Sequence, residues 1–222
     1  MSNIYRWHPQ IKASIAGPMV NRTVLPLQQI ELDASGFHCS LMALMVLGAI
    51  ESDELKALSR AKKKSVVKLW NGTASHFVDI KPRQLQSVFA KHKNIQCRVV
   101  KKNRVPKTSD TLVMDGVCLV EISNGDFSHW VLAVGTGEDE SDDILKSLLI
   151  IDPGIEPAPL LAWNASLSVT ADRRDRHRYE SALGATKVKI TAVLALTPSF
   201  DELELDFELD PEEEEELQFI TT

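Results

Sequence analysis

The sequence predicts an α+β domain, with helices in its first half and an antiparallel sheet in its second. Three observations carry this. Residues 38 to about 51 are dense in Leu, Met and Ala, which are good helix formers, and the pairs Leu41/Leu44 and Met42/Met45 recur at i, i+3. Lys81 to Phe89 reads as another helix, with Pro82 at its start and Leu85, Val88 and Phe89 on one face. Beyond residue 95 short apolar runs take over, and Asn124-Gly125 is the strongest hairpin cue in the chain.

Taken in order, residues 1–23 mix polar and aromatic side chains around Gly17-Pro18 and read as a loop or lightly structured arm. A short strand is expected at 24–30, then a small-residue loop at 33–37 that runs into the helix. Glu51-Ser52-Asp53-Glu54 restarts a helix, with Ser52 as N-cap and acids in its first turn. Lys62-Lys63-Lys64 on it reads as a solvated face, and Asn71-Gly72-Thr73 as a turn. His76 and His92 are expected at the surface or as caps. Strands follow at Ile95–Val100 and Val117–Ile122, separated by a basic turn, Lys101-Lys102-Asn103-Arg104. The apolar strand that begins at His129 leads over an acidic tip at 137–143 to a second one, Leu148–Ile151, which stops at Asp152-Pro153-Gly154. A short element is expected from Trp163, then a basic loop of Arg173, Arg174, Arg176, His177 and Arg178, and a last strand at Lys187–Leu196.

At 222 residues the chain suits one domain plus a tail. The net charge of −6 hides an asymmetry: residues 201–222 hold eleven acids and no base, which leaves 20 acids against 25 bases in the body. Such an acidic tail is an interaction segment, and the basic loop or a basic partner protein is its expected counterpart. Its first half alternates acids with Leu203, Leu205, Phe207 and Leu209. Three widely spaced cysteines, Cys39, Cys97 and Cys118, make neither a CxxC pair nor a disulfide framework and fit a reducing compartment. Met1–His8 lacks the apolar core of a secretory leader and no run reaches membrane-spanning length. The expected location is therefore the cytoplasm, with export by a specialised secretion system left open, and no membrane partner is expected. No phosphate-binding glycine loop, HExxH or EF-hand loop is present, so neither metal nor organic cofactor is expected. The body's modest positive charge comes with no nucleic-acid-binding motif.

The chemistry centres on three residues. Cys39 opens the Leu/Met/Ala-rich segment, where a helix N-terminus would stabilise a thiolate and lower the thiol pKa. His129 heads an apolar strand and Asp152 ends one. A cysteine nucleophile needs a base, and the base needs an orienting group. His38 flanks the cysteine, but neighbouring residues on a helix point different ways, which leaves His129 as the base.

These segments, Cys39 with its helix, His129-Trp130 with its strand, and Asp152-Pro153, resemble the papain-like cysteine peptidases, in particular the bacteriocin-processing (double-glycine type) peptidases and their stand-alone bacterial relatives. The resemblance covers roughly residues 24–155. It implies N-terminal helices carrying the nucleophile, packed on an antiparallel sheet carrying His and Asp. It divides the chain into an arm (1–23), a peptidase domain (24–200) and the acidic tail (201–222). It implies a thiol hydrolase that cleaves a peptide or isopeptide bond in a protein or peptide substrate with Cys39, His129 and Asp152. Two positions depart from the pattern: Ser40 stands where the family has Gly, and Asp33 where it has the oxyanion-binding Gln. Gln29, or Gln28 beside it, is the replacement donor next to the Cys39 N–H, and Trp130 walls the site or joins the core. The same triad would equally serve a glutamine deamidase or an acyltransferase. A further alternative is a catalytically inactive relative that works through its acidic tail.

Overall fold

The computed structural model describes residues 3–11, 34–50, 80–100, 106–113, 115–125, 128–139, 144–156 and 161–199. The expected strand at 24–30 with Gln28 and Gln29, Asp33, the helix from Ser52 with its lysine run, the 71–73 turn, His76, the 101–104 basic turn and the tail 201–222 lie outside these residues.

Eight strands dominate: β1 (Asn3–Trp7), β2 (Ile95–Val100), β3 (Val117–Ser123), β4 (Ser128–Asp139), β5 (Leu145–Ile151), β6 (Ala165–Ser168), β7 (His177–Ser181) and β8 (Gly184–Pro198). Three helices accompany them among the described residues: α1 (Ser35–Val46), α2 (Pro82–Phe89) and α3 (Pro106–Val113). All strand pairs are antiparallel, and the order β4-β3-β8-β7-β6-β5 returns to β4, which closes a barrel. β1 pairs with β4 beyond the end of β3, and β2 pairs with the last part of β8. Asn3–Trp7, within the stretch expected as an arm, is thus part of the sheet.

This overturns the expected α+β papain-like fold. The dominant structure is a closed antiparallel barrel with few helices. The barrel closes through β4, which pairs with β3 over residues 128–133 on one edge and with β5 over residues 132–138 on the other. Residues facing inward fill the barrel: Val120 and Ile122 of β3, Val131 and Ala133 of β4, Leu148 and Ile150 of β5, and Val193 and Ala195 of β8. The outward alternates Leu119, Trp130, Leu132, Leu149 and Leu194 form a second core under α1 and α2. Strand β8 keeps both faces satisfied by a bulge: Glu121 pairs with Ala192 and Ile122 with Ile190, so Thr191 is the extra residue. Its hydroxyl donates to the Glu121 carboxylate at 2.6 Å.

Helix α1 stops short of residue 51 because Gly48, at φ +70°, ends it. Ala49 N–H reaches Leu44 O (2.8 Å) and Gly48 N–H reaches Met45 O (3.1 Å), the paired bonds of a Schellman cap. At α2, Pro82 opens the helix and Gln84 Oε1 accepts the Lys81 N–H at 2.7 Å. The basic loop finds partners of its own: Asp172 takes Arg176 (3.0 Å) and Lys187 (2.9 Å), and Glu180 takes Arg178 (2.5 Å). His177 is buried, with Nδ1 donating to Ser168 O at 2.8 Å.

His8 fastens β1 to the turn before β3. Its Nε2 donates to Asp115 O (2.9 Å) while Nδ1 accepts the Gln10 N–H (3.2 Å), which fixes the neutral form. Burial lowers the His8 pKa, against a smaller upward pull from the Asp115 carbonyl and charge. The stabilisation is therefore complete above the unfolded value of about 6.5 and is lost as pH falls through the lower folded value. Urea titrations across mildly acid pH should show a steeper loss of stability in wild type than in His8→Gln.

Candidate active site

The site begins where a strand edge runs out. β5 leaves β4 at the Leu132–Ile151 pair, so Trp130, two residues earlier, has backbone groups on that edge with no strand to meet. Helix α1 supplies the partners. Trp130 N–H donates to Ser35 Oγ at 3.1 Å, and the Cys39 thiol donates to Trp130 O at 3.2 Å. Ser35 and Cys39 are four residues apart, on one helix face. Gly36 lies between them because a Cβ there would stand 2.4 Å from Ile80 Cγ2 and 3.2 Å from Trp130 Cδ1. Gly36→Ala should cost about 1–3 kcal/mol, as overpacking does, and a urea midpoint would read it. Trp130 is itself a core aromatic, 4% exposed, with Nε1 donating to Ile80 O at 3.2 Å.

His129 faces the other way, toward the barrel mouth. Its Nε2 lies 2.6 Å from Asp152 Oδ1. Asp152 sits in the turn that follows β5, and its carboxylate is held on both oxygens: Gly154 N–H also donates to Oδ1 at 2.7 Å, and the Tyr179 hydroxyl donates to Oδ2. Asn164 braces the turn, accepting the Asp152 N–H at 2.7 Å and donating to the carbonyls of Asp152 (2.9 Å) and Ile155 (3.0 Å). Burial pushes the Asp152 carboxyl up, but the hydrogen bond and charge of His129, with Tyr179 and Gly154, outweigh it and bring the pKa below its usual value. Burial and the Asp152 charge raise the Tyr179 pKa far above its usual value, so the phenol remains a donor. Tyr179→Phe leaves one carboxylate oxygen without its donor and should cost about 1.5–3 kcal/mol of stability, the worth of a hydrogen bond to a charged group.

Cys39 departs from its expected setting. The helix starts at Ser35 rather than 38, and His38 N–H already reaches Ala34 O at 3.1 Å. Cys39 therefore lies beyond the unpaired first-turn N–H groups, which belong to residues 34–37, and lacks the helix-end setting expected of it. The side chain is fully buried. Burial, then the Asp152 charge, raises the thiol pKa instead of lowering it. His38 turns back on its own helix, with Nδ1 donating to Ala34 O at 2.8 Å, and so does not face Asp152. Ser40 likewise donates to Gly36 O at 2.7 Å.

A cavity of about 640 Å³ opens beside His129, Asp152 and Tyr179, between the β3–β4 and β7–β8 hairpins. Among the described residues no group of three His, Cys, Asp or Glu side chains is placed to hold a metal ion, and no helix is long and apolar enough to cross a membrane. Sequence reasoning missed Ser35, Asn164 and Tyr179. The alternation of His177, Tyr179 and Ser181 marks Tyr179 as inward-facing, but nothing in it announces a carboxylate opposite. No family model matches the chain, and no curated protein matches it.

Proposed function

We propose that the protein is a thiol hydrolase that cleaves a peptide or isopeptide bond, with Cys39 as nucleophile, His129 as base and Asp152 as the group that orients it. The observation that carries this reading is the short His129–Asp152 contact at a cavity wall, on the strand that Cys39 touches one residue later. A carboxylate on Nε2 puts the imidazole proton there and leaves Nδ1 as the free base. The described contacts join Cys39 to Trp130 O and His129 to Asp152 rather than to each other, so in the reaction the thiol must first leave Trp130 O and turn to Nδ1, to which it passes its proton. The thiolate adds to the acyl carbon, the protonated imidazole delivers the proton to the departing amine, and the C–N bond breaks. Water, deprotonated by His129, then displaces the thiolate from the thioester and releases the acid. Three free cysteines fit a cytoplasmic setting for this chemistry. The same machinery would deamidate a glutamine side chain; ammonia release from an uncut substrate distinguishes the two.

The test is the iodoacetamide reaction rate of each cysteine, wild type beside His129→Ala. Burial holds the thiols of Cys97 and Cys118 up at about 11 and about 12, which makes them inert references near neutral pH. Faster labelling of Cys39 than of the half-buried Cys97, lost in His129→Ala, is the expected result. A Cys39 slower than Cys97 in both proteins would mean that its burial and its bond to Trp130 O are structural, and would favour the inactive interaction protein instead.

A further inference from the structure

The cavity beside the His129–Asp152 pair has a character of its own. Its apolar wall comes from Ile122, Ile155, Ala185, Val188 and Leu183. Among the described residues that line it the ionisable groups are His129, Asp152 and Tyr179, and these are bonded to one another. The basic side chains of the same hairpin point elsewhere: Lys187 goes to Asp172 and Arg178 to Glu180. An anion entering the cavity would lose water and find no cationic side chain among the described lining residues, and a cation would meet only the Asp152 carboxylate, whose oxygens His129, Gly154 and Tyr179 already hold, so burying either charge is costly.

Leu183 is the second observation. Ser181 pairs with Gly184 across a two-residue turn, so Leu183 sits at the tip of the β7–β8 hairpin. Such turns favour Gly, Asn and Asp. Here a leucine leaves 84% of its surface exposed at the cavity rim, the highest exposure among the large apolar side chains described. Folding gains little from a side chain so placed, whereas a ligand in the cavity would cover it.

We infer that this cavity is the specificity pocket of the site, that it takes an uncharged, apolar side chain of a peptide substrate, and that Leu183 closes over that side chain as the residue that selects it. The inference rests on the hydrolase reading for its place in a reaction, but the pocket binds with or without Cys39. The Ser181 hydroxyl accepts the Leu183 N–H at 3.2 Å and keeps its own O–H to donate to a peptide carbonyl, while Ile122 and Val188 supply depth.

The experiment is a titration of the full-length, nitrogen-15-labelled protein with N-acetyl-leucinamide, followed through the backbone amides of His129, Tyr179 and Thr186. N-acetyl-lysinamide and the amide of N-acetyl-aspartic acid are the charged comparisons. Saturable shifts at those amides with the leucine probe alone, in wild type and in Cys39→Ala, are expected. Leu183→Asp should weaken binding roughly five- to tenfold, as loss of an isobutyl contact does, and Leu183→Met should restore most of it. No saturable shift at the pocket, equal binding of the charged probes, or indifference to Leu183→Asp would each overturn the inference. The two readings fail separately: pocket binding with a Cys39 that ignores His129 removes the hydrolase alone, and a His129-dependent Cys39 without pocket binding removes the specificity pocket alone.

Discussion

Replacing Asp152 with alanine is expected to lower stability by about 3–5 kcal/mol, the range for stripping one partner from a buried charged network. The substitution strands three donors at once: His129 Nε2, the Tyr179 hydroxyl and the Gly154 N–H. Asp152 is 4% exposed, so water does not readily replace the carboxylate. Asp152→Asn separates shape from charge. It keeps the volume and one acceptor, so the fold should survive, but an amide no longer fixes the proton on Nε2. In the proposed hydrolase that tautomer error should reduce kcat by about 10⁴. The pH dependence has a definite sign. The Asp152 carboxyl is lowered in the fold, so its stabilisation is complete above the unfolded value of about 3.9 and is lost as pH falls through the lower folded value. Acid titrations of unfolding should show that loss in wild type and a shallower one in Asp152→Asn. A wild-type-like urea midpoint in Asp152→Ala would mean that the network contributes nothing to the fold.

Gly135→Ala is the second large effect. A Cβ at Gly135 would stand 2.2 Å from Arg6 O and 2.7 Å from Trp7 Cα, both backbone atoms of the strand it pairs with. Backbone paired along its length cannot step aside locally, so the relief is release of β1 from β4. The cost is bounded by what β1 docking contributes, and about 2–4 kcal/mol is expected for a substitution that overpacks against rigid neighbours. Release has its own signature. Trp7 and Tyr5 lie against Trp163, with ring centroids 5.3 Å apart in each pair. Tryptophan emission should shift to the red, and trypsin should cut after Arg6 much faster than in wild type. A variant that keeps both wild-type emission and trypsin resistance would show that β4 can bow away from β1 at little cost.

Much of the local structure was legible. Pro82 marks the first turn of α2, Ile95–Val100 is a strand at its expected bounds, and the strands that carry His129 and lead to Asp152 were found by their apolar runs. The meeting of His129 with Asp152 follows from two adjacent strands brought together by a turn. Barrel closure was not legible, because alternation shows which face is buried and not which strand lies beside which. The one hint was the unbroken apolar run over residues 130–134, whose strand the fold buries without a break from Trp130 to Gly137, as a strand covered on both faces must be. The start of α1 was missed for a different reason. Ala34-Ser35-Gly36 has loop composition, yet tertiary contacts override it: Gly36 is small so that Ile80 and Trp130 can approach, and Ser35 is needed by Trp130 N–H. The environment of Cys39 was likewise invisible, since burial and the distance to a carboxylate belong to the fold and not to the residues beside it in sequence.

The closure of the barrel also sets an order of events in time. β3 finds its partner β8 only across the whole span from Val117 to Leu196, whereas β5, β6 and β7 each lie beside a strand nearby in sequence. The β5–β6–β7 meander can form early, but β3 keeps one edge open until residues 184–198 are present. During synthesis that edge and the apolar inner faces of β3 and β4 wait for β8, and long-range pairing of this kind is slow. Refolding should therefore be slower than for helical proteins of this size, and aggregation during refolding is expected to start from the half-built sheet with its open β3 edge.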